Sequence, residues 1–532
     1  MNSARLLPGL LGIILTASLL AEEPREGTLA SNIQLPLILN GKSVGSITLK
    51  AGAKVSIIHV RPNGVLIARG TNAPFTVARE ALTAESLVIP TPSATPLLSS
   101  DLSTPKPIAL TEQISATPPH QISEQSSGIS PEAVNQTFGL PLFSKNNLWE
   151  ENDSVVAFRL GLPMETRTSY ESGYGYEPDG RKKVLGAENF SIYLRGFHEK
   201  TAKISLLFAN KGDILHYGTP EEIKKLRAII EKTGVLPESY SAQMVQKYQA
   251  AIRNDQQMIS DKLTKLFGSG RPVRNFKTSW MSEEGMRWNW QGTSFFLFAP
   301  RNEYLTLRIE PEAAVNDLES ERKAFASAKD AIASRVQQRP NGDVIIADIP
   351  MVDQGRKGYC VPATIERVLR YYNIDADMNM LAMGGHTEAG GGTSFENIFP
   401  VIDDLARNAG GHLTQQQFTG KISDIKLAID RGKPVIWGLF SSRKFNEMMA
   451  ESNAKRKDVT DWDAWNKELT QIRKTPIALP QEGSHCCMII GYNQTTHEIA
   501  LSDSWGPEFQ ERWMTEEEAT AVKQGGMATI GW

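Results

Sequence analysis

Residues 89–130 hold 21 Pro, Ser and Thr residues in 42 positions, with few aromatics. A stretch of this composition cannot bury enough apolar surface to offset the entropy of ordering it, and reads as an extended linker. It divides the chain into a short N-terminal part and a long C-terminal part. At 532 residues the whole is too long for one core, so three or four domains are expected.

Ahead of the linker, Arg5 precedes an apolar run from Leu6 to Leu20, followed by Ala21 and Glu22-Glu23-Pro24. The run is short for a bilayer span and fits a secretory signal peptide over residues 1–21. An uncleaved N-terminal anchor is the alternative. No other segment is long and apolar enough to span a membrane, so the mature chain is expected to be extracytoplasmic, periplasmic or secreted. Residues 30–83 read as a small all-β module. Ile33, Leu35 and Leu37 alternate, Val44, Ile47 and Leu49 do so approximately, and Asn40-Gly41 and Asn63-Gly64 are hairpin signals. Several short strands in so few residues suggest an SH3-like barrel. Such a module contacts peptide or cell-wall material, or acts as a spacer. The linker is assigned to residues 84–137.

Residues 138–312 predict an α+β accessory domain with a helical insertion. A helix is expected over Leu148 to Leu162 and strands over Asn189 to Leu194, Lys203 to Ala209, Thr293 to Ala299 and Glu303 to Ile309. Charged helical stretches at Pro220 to Lys232 and Ser241 to Leu266 interrupt them. His198 and His216 lack acidic neighbours at metal-ligand spacing and read as surface or internally satisfied histidines. Residues 313–342 read as a connecting helix, rich in Ala, Glu, Lys and Arg, that runs to Gln338 and then to Pro340-Asn341-Gly342. The last domain spans 343–532.

In that domain a strand-like segment, Val344 to Met351, passes through the turn Asp353-Gln354-Gly355-Arg356-Lys357-Gly358-Tyr359 into a helix beginning at Cys360-Val361-Pro362. Ile365, Val368, Leu369 and Tyr372 give that helix one buried face, and Pro362 sits in its first turn, where a missing N–H costs nothing. A thiol at a helix N-terminus beside a base is readily held as thiolate, the nucleophilic form. Gln354, six positions earlier, is placed to turn an amide N–H toward an oxyanion at that sulfur. His485 opens a buried strand, Ser484 to Tyr492, and Asp503 ends the next, Glu498 to Ser502. A hairpin across Asn493 to Thr496 sets the two side by side, so His485 can take the Cys360 proton and Asp503 can orient the imidazole.

The order Gln354, Cys360, His485, Asp503, with the cysteine opening a helix and the other two on later strands, resembles the papain-like cysteine peptidases. The closest likeness is to the bacteriocin-leader (double-glycine) peptidase branch, which uses Asp in the third role. The Ser504-Trp505-Gly506 after Asp503 looks more like papain itself. The resemblance covers roughly residues 343–532. It implies a multidomain protein with a C-terminal α+β papain-like cysteine peptidase fold, preceded by the α+β domain and the SH3-like all-β module. It further implies hydrolysis of peptide bonds through a Cys-His-Asp triad with a Gln oxyanion hole, and Trp505 as an indole shielding the His–Asp pair.

Other readings stand beside this one. His386, 26 residues after Cys360, is the rival base. The glycines at 384–392 suit a flexible turn or the approach of an extended substrate; a phosphate cradle is disfavoured because no G-K-[ST] follows. Residues 441–480, with Trp462 and Trp465, form an insertion that is either a wall or lid of the cleft or a surface excursion. Pro434 to Phe440 is expected as a central strand, and Phe395 to Asn408 as a helix. The charges nearly balance, 57 basic against 60 acidic residues for a net −3, with no basic block, so no nucleic-acid partner is expected. The three cysteines, Cys360, Cys486 and Cys487, form neither a disulfide framework nor a zinc motif, and no cofactor or metal is implied. Apart from catalysis, a non-catalytic extracytoplasmic protein binding peptide or cell-wall material on a papain-like fold is the alternative function.

Overall fold

The structure, a computed structural model, describes residues 128–532 except 177–181, 218–220, 226–237, 277–281, 314–317, 356, 388–391 and 475–476, together with segments of residues 25–83. The signal segment at 1–21, most of the linker, Arg356 and part of the glycine-rich loop lie outside the described residues, as does the side chain of His216. In the N-terminal part, strands Arg25–Thr28, Lys54–Arg61, Gly64–Ala68 and Phe75–Val77 pair in that order as one antiparallel sheet, and Ile33–Leu39 with Lys42–Leu49 forms a hairpin. Among the described residues no pairing joins hairpin to sheet, so the SH3-like barrel finds no support.

The accessory domain is built on an eight-stranded antiparallel sheet. Its order is Arg271–Phe276, Ser282–Trp290, Thr293–Phe298, Tyr304–Pro311, Lys200–Asn210, Ser191–Phe197, Glu171–Tyr176 and Met164–Arg167. Helix α1 (Glu238–Phe267) presents Met244, Tyr248, Ile252, Ile259 and Leu263 to this sheet, all buried, at the four- and seven-residue spacing of one helical face. The helix expected over Leu148 to Leu162 is shorter, Asp153–Leu160. Asn152 caps its start, and Gly161 ends it at φ 73°, where a side chain would be strained.

The connecting helix α2 (Leu318–Ile332) stops before Gln338. Val336–Gln338 is instead strand β1, pairing with β2 (Asp343–Ile346) across the Pro340-Asn341-Gly342 turn. The hairpin chemistry of Asn-Gly wins over the helical composition leading to it. The C-terminal sheet continues with β3 (His412–Gln417), β4 (Val435–Phe440), β5 (Ser484–Asn493), β6 (Glu498–Ser502), β7 (Arg512–Thr515) and β8 (Lys523–Gly531). The order is β1-β2-β5-β4-β8-β3, with β6 paired to β5 and then β7 to β6. β5 is buried at every position after Ser484 because strands flank it on both edges and helices cover its faces.

Helix α3 (Cys360–Tyr371) differs most from expectation. The apolar spacing predicts one buried face, yet every residue after Cys360 is buried. One side packs on the sheet, where Thr364 Oγ1 donates to the Cys486 carbonyl at 3.1 Å. The other side faces the accessory domain, and Leu207 and Tyr304 from that domain's sheet belong to the same core cluster as Ile365 and Val368. The charged residues of α3 are buried with partners, Arg370 across this interface and Arg367 within the C-terminal domain. Arg370 Nη2 meets Glu171 Oε1 at 2.6 Å, and Arg195 meets the other oxygen of the same carboxylate at 2.7 Å. Arg367 donates to the Pro350 carbonyl at 2.8 Å. The accessory domain also holds both ends of the turn before α3. The Met351 and Asp353 amides donate to Thr166 Oγ1 at 2.8 Å and Glu165 Oε1 at 2.7 Å, and the Gly212 amide donates to the Tyr359 hydroxyl at 3.1 Å.

Removing one partner of a buried ion pair leaves its mate uncompensated. Glu171→Ala removes the carboxylate shared by two buried guanidinium groups, leaving Arg370 with Glu366 at 3.2 Å and Arg195 with Asp375 at 3.3 Å, so it is expected to lower stability by about 3 kcal/mol, the low end for a broken buried pair. Urea unfolding of the full chain measures this; a loss below about 1 kcal/mol, the range of exposed pairs, would show that the interface contributes little.

Candidate active site

Cys360 is the first residue of α3 and is only partly buried, while Cys486 and Cys487 on β5 are fully buried; all three are free thiols. No side chain caps the helix at Tyr359, so the first-turn N–H groups are left to whatever lies at the N-terminus. The Cys360 sulfur takes that place. Burial pushes its thiol up, but hydrogen bonding and charge from His485, with the Cys486 and Val361 amides, pull it below the ordinary thiol range. The other two cysteines go the opposite way, since burial holds both thiols well above theirs.

His485 reaches Cys360 because β5 carries it, second in the strand, beside the start of α3. Its Nε2 meets Asp503 Oδ1 at 2.8 Å, which leaves Nδ1 as the ring nitrogen for the sulfur. Burial opposes the charge on the ring. The Asp503 and Cys360 hydrogen bonds and charges outweigh it and raise the imidazole from 6.5 to about 9. Asp503, just after β6, is completely buried. Burial alone would raise its carboxyl; Arg512 and His485 hold it down at about 2. Arg512, on β7, donates from Nε to Asp503 Oδ2 at 2.7 Å and lies over the Trp505 ring at 5.1 Å. The Trp505 ring stacks on the imidazole, with ring centres 4.3 Å apart and planes 28° apart, covering the His–Asp pair.

Gln354 is clasped to the segment after Asp503. Its backbone N–H donates to the Ser504 carbonyl at 2.9 Å, and Ser504 Oγ donates to its Oε1 at 2.9 Å. That fixes the amide orientation, with Nε2 donating to the Lys357 carbonyl at 3.2 Å; an amide nitrogen carries a second hydrogen. The structure thus brings Gln354, Cys360, His485, Asp503 and Trp505 together. His386 is not in this chain of contacts; it follows the helix Met378–Gly384 at φ 50°. His198 is exposed, on a left-handed turn at φ 47° in the accessory domain.

Residues 441–480 form two helices, Arg443–Lys457 and Trp462–Ile472. They pack along the sheet. Asn446 touches Arg512 at 3.4 Å, and Arg456 pairs with Asp343 at 2.7 Å and Glu498 at 3.1 Å, at the far end of β5.

Two residues of the site escaped the sequence reading. Ser504 carries no signal of its own beyond its place in the Ser504-Trp505-Gly506 tripeptide. Arg512 sits beside Trp513 on a short strand, and its one signal is a cation in an otherwise buried stretch, which needs a carboxylate nearby.

Residues 346–524 match the family model described as Peptidase_C39 like family, which supports a C39-like, papain-like cysteine peptidase domain in this part of the chain. No curated protein matches the chain. Among the described residues no helix is long and apolar enough to cross a membrane.

The shifted groups fix the sign of a pH dependence. His485, raised to about 9, contributes stability that is complete below 6.5 and lost as pH rises through about 9. Asp503, lowered to about 2, contributes stability that is present above 3.8 and lost as pH falls through about 2. Arg512→Met removes the cation that holds Asp503 down, so less stability remains to be lost as pH falls below 3.8 and the acid limb is expected to be shallower, after a loss of about 3–5 kcal/mol at neutral pH. Urea midpoints measured across pH for both proteins check this; superimposable acid limbs would count against it.

Proposed function

We propose that the protein is an exported cysteine peptidase that hydrolyses peptide bonds with Cys360 as nucleophile, His485 as acid and base, Asp503 as the group orienting His485, and Gln354 as an oxyanion donor. The observation that carries this reading is one imidazole held between a buried carboxylate at 2.8 Å and a thiol whose ionisation it favours. The Cys360 thiolate adds to the substrate carbonyl carbon. The carbonyl electron pair moves onto oxygen, where the Gln354 Nε2 hydrogen and the Cys360 backbone N–H receive it. As the C–N bond breaks, His485 gives its Nδ1 proton to the leaving amine, and a thioester remains on Cys360. Neutral His485 then takes a proton from water, the hydroxyl adds to the thioester, and the acid product leaves as the thiolate–imidazolium pair is restored. Asp503 stays ionised throughout and keeps Nε2–H pointed away from the sulfur. Trp505 keeps water off the ring. The apolar run before Ala21 supports export, and so an extracytoplasmic peptide or protein substrate.

A small alkylating reagent is expected to label Cys360 stoichiometrically at neutral pH and to leave the buried Cys486 and Cys487 unlabelled, which mass spectrometry of digested protein resolves. His485→Ala should slow that labelling strongly. Equal, slow labelling of all three cysteines would instead favour a binding protein without catalysis. Cys360→Ala is expected to abolish cleavage of a peptide library, and His485→Ala to lower it by about 10²–10⁴-fold or more.

Cleavage and labelling should separate at alkaline pH. Turnover needs protonated His485 for the leaving amine and should fall as pH rises through about 9. Alkylation needs only the thiolate and should not fall there. A parallel decline of the two rates would remove His485 from the acid role.

A further inference from the structure

Gln354 is carried on backbone that belongs to neither β2 nor α3. Gly355 beside it stands at φ 67°, where a side chain would be strained. A donor on such a turn is aimed by whatever anchors the turn. The Gln354 amide itself is anchored within the C-terminal domain, by Ser504 and the Lys357 carbonyl. The residues around it are anchored from the accessory domain. Glu165 and Thr166 are consecutive on the accessory strand Met164–Arg167. Glu165 Oε1 accepts from the Asp353 amide at 2.7 Å, and Thr166 Oγ1 from the Met351 amide at 2.8 Å. Asp353 Oδ1 in turn accepts from the Gly355 amide at 2.9 Å, so the residue before Gln354 is tied to the one after it. Further along, the fully buried side chain of Lys357 lies 3.8 Å from Asp213 Oδ2 of the accessory domain. Burial and the Asp353 carboxylate raise Glu165 to about 8 against its bond from the Asp353 amide, so near neutral pH it accepts that bond chiefly as a neutral acid.

We propose that Glu165 is a positioning residue for the oxyanion donor: its bond to the Asp353 amide sets the turn that aims Gln354 Nε2, and the accessory domain contributes to turnover through Gln354. The inference rests on the peptidase reading. An oxyanion donor acts on charge that develops in the transition state, where a displacement of about 1 Å can cost about 10²-fold. Loosening the turn therefore lowers kcat and leaves KM unchanged. The thiolate is prepared separately, by His485 and by backbone at the start of α3 and on β5. Iodoacetamide tells the two apart, because the Cys360 sulfur displaces iodide at a saturated carbon and no oxyanion forms.

Peptide cleavage and iodoacetamide labelling by the full chain test it together. Glu165→Ala is expected to lower kcat by about tenfold, short of the loss of about 10²–10³-fold expected for Gln354→Ala. KM and the rate of Cys360 labelling should stay unchanged. Glu165→Gln keeps an oxygen acceptor and should remain within about twofold of the unaltered chain. In the Gln354→Ala background, Glu165→Ala should cost nothing further, because the group it positions is gone. Glu165→Met, which keeps the volume without a carboxyl oxygen, serves the same comparisons should Glu165→Ala not fold. Labelling that falls in step with kcat would show a general loosening of α3 and overturn the proposal. So would multiplicative losses in the double variant, or Glu165→Gln as slow as Glu165→Ala. Absence of cleavage by the unaltered chain would remove the peptidase reading itself, whereas cleavage undiminished by Glu165→Ala would overturn this inference alone.

Discussion

The burial of α3 on all sides is the constraint on which the rest depends. A helix that opens with a half-exposed thiol and then disappears into protein must have each of its polar side chains met by another element. Thr364 is met by β5, Arg367 by the segment before the catalytic turn, and Arg370 by Glu171 of the accessory sheet. Each of these fixes the rotation and height of α3, and therefore the position of the Cys360 sulfur relative to β5. The strand brings His485 to that sulfur, and the hairpin to β6 brings Asp503 behind His485. The centre is assembled from three segments distant in sequence, and its accuracy comes from buried polar contacts away from the reacting atoms.

The electrostatics follow the same layering. Arg512 holds Asp503 ionised, Asp503 holds the imidazole protonated, and the imidazole favours the thiolate. Burial opposes the charged form at every step, so each charge persists only through its neighbour. Cys486, adjacent to His485 in the chain, shows the contrast. It has the burial without the partner, and its thiol is pushed far up.

Much of this was legible from residue order. The buried strand Ser484 to Tyr492, the hairpin after it, the helix opening at Cys360 and the strand at Pro434 to Phe440 are all local patterns, and local patterns survive folding. The parts that were not legible are long-range. Nothing near Arg370 in sequence announces Glu171, and nothing near Arg512 announces Asp503 beyond the presence of a cation among apolar neighbours. The amphipathic reading of α3 failed for the same reason. It assumes that polar residues face water, whereas here a second domain supplies their counter-charges. The connecting helix is shorter than its composition suggests, because Ala, Lys and Arg favour helix up to Gln338, while pairing with β2 across Asn341-Gly342 decides the conformation from Val336 onward.

The shared carboxylate of Glu171 bears on how such a chain is inherited. A peptidase-like segment is ordinarily regarded as a cassette that recombination can move between architectures. Here the cassette boundary would run through an ion cluster, parting Arg370 from a carboxylate that stays with Arg195 on the accessory sheet. Moved without the accessory sheet, the cysteine helix would carry a buried guanidinium short of one counter-charge, so the residue at 171 limits what position 370 can tolerate.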